Sequence, residues 1–350
     1  MTISDLRIHL LAGQVIPAMP LALNEDGSWS QQHQRALVRY YLDAGVGGVA
    51  VGVHTTQFEI RKPEHDLLES ILRFCSEKQD QWLGEKPRRV AKIAGICGDT
   101  DQALREANLA VECGYHAGLL SMSAMSEESE DRLIEHCRAV AEIIPLFGFY
   151  LQPKIGGGMY PYSFWRRFAE IENVVAIKIA PFDRYATFEV VRAVIDAGRD
   201  DIALYTGNDD NIINDLLTVF NFSGSKRHIS GGLLGQWAVW TKAAVDTLEE
   251  IKLMKARNPK QIESWWLTRN TELTDANGAL FDAANEFAGS IPGIHEVLRR
   301  QGLLPSIRCL DPEETLSPGQ KEEIDRVLEA YSFLEDDEFV RNNLDRWMND

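Results

Sequence analysis

Short apolar runs rich in Val, Ile, Ala and Gly alternate along this chain with longer stretches whose apolar residues recur at helical spacing. Runs at 15–23, 46–53, 89–97, 117–122, 146–152, 173–180, 202–206 and 228–232 predict strands. Between them the pattern predicts helices over 31–44, 63–78, from Thr100 or Asp101 to about Gly114, from Ser126 or Ser129 to before Pro145, and over 163–171, 185–197, 209–220 and 236–254. Ser30 reads as an N-cap and Gly45 as a stop for the first of these. Strict alternation implies parallel strands, because a parallel pair needs a long crossover rather than a tight turn. Eight units with no shift in composition predict an α/β fold, a (β/α)8 TIM barrel. The competing architecture is an open doubly wound sheet, but no G-x-G-x-x-G follows the first strand.

Beyond about residue 256 only helical spacing remains, over 259–276, 279–301 and 318–333, with an acidic and then amphipathic stretch at 335–350. The expected division is a barrel catalytic domain over 1–256 and a C-terminal helical extension over 257–350. The extension is dense in Trp, Leu and Phe, so it is expected to pack on the barrel.

Composition narrows the function. A net charge of -17, from 36 basic and 53 acidic residues, argues against nucleic acid and anionic membrane as partners. It leaves room for an anionic substrate in a locally positive pocket. The five cysteines have no paired spacing, which fits neither a disulfide framework nor a zinc site. They read as small buried hydrophobes in a reducing compartment. Residues 1–7 lack the basic flank and apolar core of a signal peptide, and no apolar run approaches the roughly 20 residues of a membrane span. The expected location is the cytoplasm.

One residue stands out chemically. Lys178 interrupts the β-branched run 173–180, which reads as a strand buried on both faces. Burial favours the neutral amine, and a neutral amine attacks carbonyl carbon. The alternative is a strand-end lysine whose ammonium reaches water or a carboxylate. In a barrel counted from Val15, Lys178 lies near the C-terminal end of the sixth strand, where such folds carry their chemistry.

With that placement the sequence resembles the dihydrodipicolinate synthase / N-acetylneuraminate lyase family of class I aldolases and dehydratases, over roughly residues 14–305. The resemblance rests on Ala44-Gly45-Val46-Gly47-Gly48-Val49 at the second strand and Ala94-Gly95-Ile96-Cys97-Gly98-Asp99-Thr100 at the third. Phe149-Tyr150-Leu151-Gln152-Pro153 resembles the family's Tyr-Asn-x-Pro, and Ala176-Ile177-Lys178 its Gly-Ile-Lys. Thr206-Gly207-Asn208-Asp209 resembles its Ser/Thr-Gly-Asp-Asp, and 291–304 its closing helix. This implies a metal-independent, cofactor-free lyase in which Lys178 forms an imine with pyruvate or another 2-oxo acid. Tyr150 would move protons to and from the substrate, its alternative being a barrel aromatic with a satisfied hydroxyl. The resemblance also implies a homo-oligomer, dimer or tetramer.

The departures bear on mechanism. Where the family carries Gly-Thr-Thr-Gly-Glu to hold the substrate carboxylate, this chain has Gly52-Val53-His54-Thr55-Thr56. Val53 replaces the threonine that hydrogen-bonds the catalytic tyrosine, so that proton relay is absent or rebuilt. His54 either holds the carboxylate or acts as acid/base, or it caps a loop carbonyl. A shifted register would bring Thr55 and Thr56 into the pocket. Ile155, beside Lys154, stands where the lysine-pathway synthase has an arginine, and Ala124 and Met125 where it has aromatics, which argues against that pathway. Thr206 belongs to the seventh-strand motif. Asn208 and Asp209 either cap the next helix or meet a substrate hydroxyl. Ser230 and Gly231 would let substrate approach the backbone of the eighth strand. Two functions follow as alternatives: a Schiff-base lyase, aldolase or dehydratase, and a catalytically altered barrel that binds a 2-oxo acid in a regulatory role.

Overall fold

The computed structural model describes residues 1–85, 87–222, 224–257 and 261–349, and the backbone but not the side chain of residue 155. The fold is α/β, a (β/α)8 TIM barrel with a C-terminal helical extension. Ten strands are present among the described residues: β1 Val15–Pro17, β2 Gly48–Val51, β3 Ala91–Ile96, β4 Ala117–Leu120, β5 Leu146–Leu151, β6 Val174–Ala180, β7 Ala203–Thr206, β8 Val219–Phe222, β9 Ser225–His228 and β10 Gly231–Leu234. All but β8 and β9 belong to one sheet. The chain forms two compact units, each discontinuous in sequence: Met1–Gln14 with Ala91–Leu233, and Val15–Val90 with Leu234–Asp350.

In the first unit, β3, β4, β5, β6, β7 and β10 pair in that order, all parallel. Their side chains are buried on both faces, which is why the sequence shows continuous apolar runs rather than alternation. The register sets Phe149 opposite Lys178, and Lys178 opposite Tyr205. A helix at Ile3–Leu11, which the sequence pattern does not announce, lies against the N-terminal part of this sheet: the Tyr205 hydroxyl donates to the Leu10 carbonyl at 2.8 Å.

Three expectations need correction here. The stretch 209–220 is not one helix. A short helix, Ile212–Leu217, gives way to the antiparallel hairpin of β8 and β9, because alternating Val219, Phe220, Asn221 and Phe222 suit a half-exposed strand. The eighth strand of the sheet begins at Gly231 instead of ending near it. The helix after Thr100 is capped by Asp99, whose carboxylate accepts from Gln102 N at 2.9 Å.

In the second unit β1 and β2 run parallel, with a bridge between Ala18 and Ala50. Helix Gln31–Ala44 stops at Gly45, whose φ of 101° needs glycine. The helix expected from Pro63 starts later, at Leu68, after two tight turns over His54–Thr56 and Phe58–Arg61. The extension's expected first helix begins at Pro259, outside the described residues; the helix seen is Trp265–Leu280. The stretch 279–301 is broken by a turn at Ala283–Asn285 before helix Ser290–Arg300. Helices Gln320–Ala330 and Asp337–Met348 complete the chain. The last of these docks on Gln31–Ala44: Trp347 is fully buried, its indole donates to Asp43 at 2.8 Å, and Arg39 donates to the Trp347 carbonyl at 2.9 Å.

Candidate active site

In the first unit the site is organised by Lys178 near the C-terminal end of β6. Its Nζ lies 4.4 Å from the centre of the Phe149 ring. Gly207, just past β7, makes room for the side chain: a Cβ there would sit 2.6 Å from Lys178 Cε and 2.7 Å from Ala180 Cβ. Gly207 is held by its own N–H, which donates to the Ile179 carbonyl at 2.7 Å. Burial pulls the Lys178 amine down to about 8, and the charge of Asp209 works against that shift. An ammonium in so apolar a place loses hydration that its neighbours do not fully replace, so the neutral nucleophile is more accessible than on an ordinary lysine. Taken as a whole residue, Lys178 is partly exposed.

The loop after β7 is anchored by a buried carboxylate that the sequence does not single out. Asp215 accepts from the Thr206 hydroxyl at 2.6 Å, from Asn208 Nδ2 at 3.1 Å, from Asn211 Nδ2 at 3.1 Å and from Arg184 at 2.6 Å. Asn208 also donates to Thr187 and accepts from Phe182 N at 3.0 Å. Phe182 has a φ of 52°, unusual for a bulky residue, and this bond helps hold it there. Thr206 and Asn208 are thus committed to fixing the loop beside Lys178. The cap of the next helix is Asn211, not Asn208 or Asp209.

Tyr150 is buried at the end of β5, one residue past the partner of Lys178, and strand alternation turns it to the opposite face. Its ring packs on Trp165 at 5.2 Å and Tyr160 at 5.8 Å, and its hydroxyl lies 3.9 Å from Met159 Sδ. Burial raises its phenol above the usual range. Phe149, which sequence motifs passed over, is the aromatic on the lysine side. The period-2 rule applied to Phe149-Tyr150 would have found it.

Ser230 and Gly231 stand at the N-terminal start of β10, away from the strand ends that carry chemistry in this fold. The space left by the missing Gly231 side chain is filled by the backbone of Gln14, and Ser230 N donates to the Leu204 carbonyl at 2.7 Å.

His54, Thr55 and Thr56 belong to the second unit. Gly52, at φ 76°, turns the chain out of β2. The Thr56 hydroxyl then accepts from Gly52 N at 3.0 Å and donates to the Met19 carbonyl at 2.7 Å, while Thr55 donates to the same carbonyl at 3.3 Å. Both threonines are buried and staple the loops after β1 and β2 together. His54 is half-buried with its ring 6.0 Å from that of Phe58. Gln57, at φ 67°, accepts from Leu310 N at 2.6 Å, and Ser306 donates to the Leu23 carbonyl at 2.6 Å. The segment 306–310 thereby fastens to both loops.

Among the described residues no group of three or more His, Cys, Asp or Glu side chains is arranged to hold a metal ion, and no helix is long and apolar enough to cross a membrane.

Comparison with known proteins bears on the family and the fold. The model of the dihydrodipicolinate synthetase family matches residues 11–236, more than half of the chain. Among curated relatives, a 4-hydroxy-tetrahydrodipicolinate synthase of Sulfurihydrogenibium is 24% identical over 191 residues, covering 53% of this chain and 60% of its own. One from Bifidobacterium longum is 27% identical over 213 residues, covering 59% and 65%. The match therefore spans less than two thirds of these relatives' own length. Among solved structures, a dihydrodipicolinate synthase from Acinetobacter baumannii complexed with pyruvate superposes with a TM-score of 0.73 at 19% identity, covering 92% of this chain and 99% of its own. The N-acetylneuraminate lyase of Fusobacterium nucleatum does so with a TM-score of 0.69 at 16% identity, over 92% and 99%. At these identities the superpositions speak for the fold.

Proposed function

The chain belongs to the dihydrodipicolinate synthetase family, and from that premise we propose that it is a Schiff-base-forming lyase, an aldolase or dehydratase, acting on pyruvate or another 2-oxo acid. The observation that carries the proposal is Lys178: a lysine at the C-terminal end of a buried parallel strand, with its amine pulled down to about 8. A primary amine in that condition adds to a ketone carbon, and loss of water leaves an iminium. The iminium draws electron density from the adjacent bond, so a C–C bond breaks or a proton leaves to give an enamine. The amine supplies this electron sink itself, and the reaction draws on no metal or cofactor.

Tyr150 is the proposed proton carrier for the substrate hydroxyl. Thr206 and Asn208 are proposed to shape the wall behind Lys178. The proposed division is a catalytic barrel over 1–256 and a helical extension over 257–350. The protein is proposed to work in the cytoplasm as a homo-oligomer, a dimer or tetramer, without nucleic-acid or membrane partners.

A second reading is a catalytically altered barrel that binds a 2-oxo acid in a regulatory role. It is favoured by one observation: Val53 offers no hydroxyl to a relay, and the Tyr150 hydroxyl lies against Met159 on the face away from Lys178. Borohydride trapping followed by a search for turnover separates the two. An adduct with turnover across a panel of aldehydes and sugar acids supports the lyase; an adduct with none supports the binder.

A further inference from the structure

Both residues paired with Lys178 in the sheet are aromatic: β5 sets Phe149 opposite it on one side, and β7 sets Tyr205 on the other. The Tyr205 hydroxyl is committed elsewhere, donating to the Leu10 carbonyl. Phe147, two residues before Phe149 and so on the same face of β5, meets the Tyr205 ring edge-on at 5.3 Å. The lysine thus stands beside an aromatic layer, with Nζ over the Phe149 ring at 4.4 Å from its centre. Among the described residues Nζ makes that contact and neither a hydrogen bond nor an ion pair. An ammonium carries three N–H donors, and burying them unpaired is costly. An iminium carries one N–H and spreads its charge onto carbon, so the same place suits it better.

We propose that the face of Phe149 holds the positive charge of the iminium formed on Lys178. This inference rests on the Schiff-base reading above. Condensation places the charge at the nitrogen that the ring covers. The lone pair of the neutral amine forms a C–N bond to the keto carbon while the carbonyl π pair moves onto oxygen. One proton passes from nitrogen to that oxygen, and a second reaches it from solvent. The C–O bond breaks, water leaves with both protons, and the nitrogen lone pair closes the C=N bond. The remaining N–H proton stays on the iminium. The sum is amine, ketone and one solvent proton giving iminium and water.

The ring can hold this charge because its π face is negative, and a cation–π contact is worth most where water is excluded. Phe149 is itself buried. The charge of Asp209 also favours a cation on Lys178, whatever the electron density of the ring. The alternative role for Phe149 is to fill space and exclude water. Ring fluorination separates the two. Fluorine nearly preserves the shape of the ring and its dryness, but it drains the negative face. A ring that holds charge then loses its grip in steps, and a ring that fills space does not.

The test replaces Phe149 in the full chain by 4-fluoro-, 3,5-difluoro- and 3,4,5-trifluorophenylalanine. Pyruvate is titrated at pH 9, where an amine at about 8 is mostly neutral and only the adduct carries the charge. A short borohydride pulse fixes the adduct, and intact mass counts it. The half-maximal pyruvate concentration is expected to rise with each added fluorine, by about threefold or more for the trifluoro ring, within what such contacts contribute. Phe149→Leu, apolar but without a π face, is expected to raise it at least as far. A half-maximal concentration that stays flat or falls along the fluorine series, in proteins melting cooperatively near the wild-type temperature, would overturn the inference while leaving the imine in place. The fluorine series decides the matter even where Phe149→Leu fails to fold. Absence of an adduct in wild type would instead sink the Schiff-base reading beneath it.

Discussion

The ring of Phe149 stands 4.4 Å from Nζ of Lys178, set there by the strand register that pairs the two residues. The ring keeps water from the amine while its face offers an ammonium only weak compensation. Lys178 at about 8 is therefore partly neutral at physiological pH, where an ordinary lysine near 10.5 is not. Adduct formation with a 2-oxo acid is expected to rise with pH through 7 and to level off above about 8. Phe149→Ala admits water and moves the midpoint of that rise upward, towards 10.5. Fewer neutral amines at pH 7 mean slower labelling there, and the two rates converge only above the shifted midpoint. Labelling rate against pH for both proteins checks this.

Gly207→Ala tests the packing of the lysine. The new methyl would fall 2.6 Å from Lys178 Cε and 2.7 Å from Ala180 Cβ, and Ala180 cannot yield by rotation. The expected result is loss of adduct formation together with a stability cost of roughly 1–3 kcal/mol, typical of overpacking. Thermal melting and trapping report the two parts separately.

Tyr150→Phe separates two proton transfers. The ring stays packed on Trp165 and Tyr160, so stability should change by less than about 1 kcal/mol, the scale of one weak hydrogen bond. Trapping of the 2-oxo acid is expected to persist, because the Tyr150 hydroxyl lies on the face of β5 away from Lys178. Turnover of a hydroxylated substrate should fall by about 100-fold or more, the usual contribution of a general acid/base.

Trp347→Ala reports on the C-terminal extension. The indole is fully buried, bonded to Asp43 and within 5.5 Å of the Tyr40 ring. Its removal is expected to cost about 3–5 kcal/mol, as for other buried Trp truncations. Denaturant unfolding should show the loss as a lower midpoint. An unchanged midpoint would mean that helix Asp337–Met348 contributes nothing to the unit it docks on.

The fold was legible because each parallel strand is buried on both faces and must be written in Val, Ile, Ala and Gly, while each crossover keeps a helical stripe. What was not legible depended on context. Val219–Phe222 alternates over only four residues, too few to announce a hairpin beside a short helix. Ser230 and Gly231 were placed by a strand boundary, and a shift of three residues moved them to the opposite end of β10. Lys178 was readable because a charge inside a buried run has few explanations. Asp215 was not: nothing in its own helix shows that Thr206, Asn208 and Arg184 will converge on it. Tyr150 was legible as a motif and illegible as geometry, since only the register shows which face of β5 looks on the lysine.

The central claim is that Lys178 forms a covalent imine. Purified protein incubated with pyruvate and borohydride, then digested and weighed, should carry a reduced pyruvyl group on the peptide containing Lys178. The same treatment of Lys178→Ala should leave the protein unlabelled. Absence of any adduct from wild type, with pyruvate and with larger 2-oxo acids alike, would contradict the account.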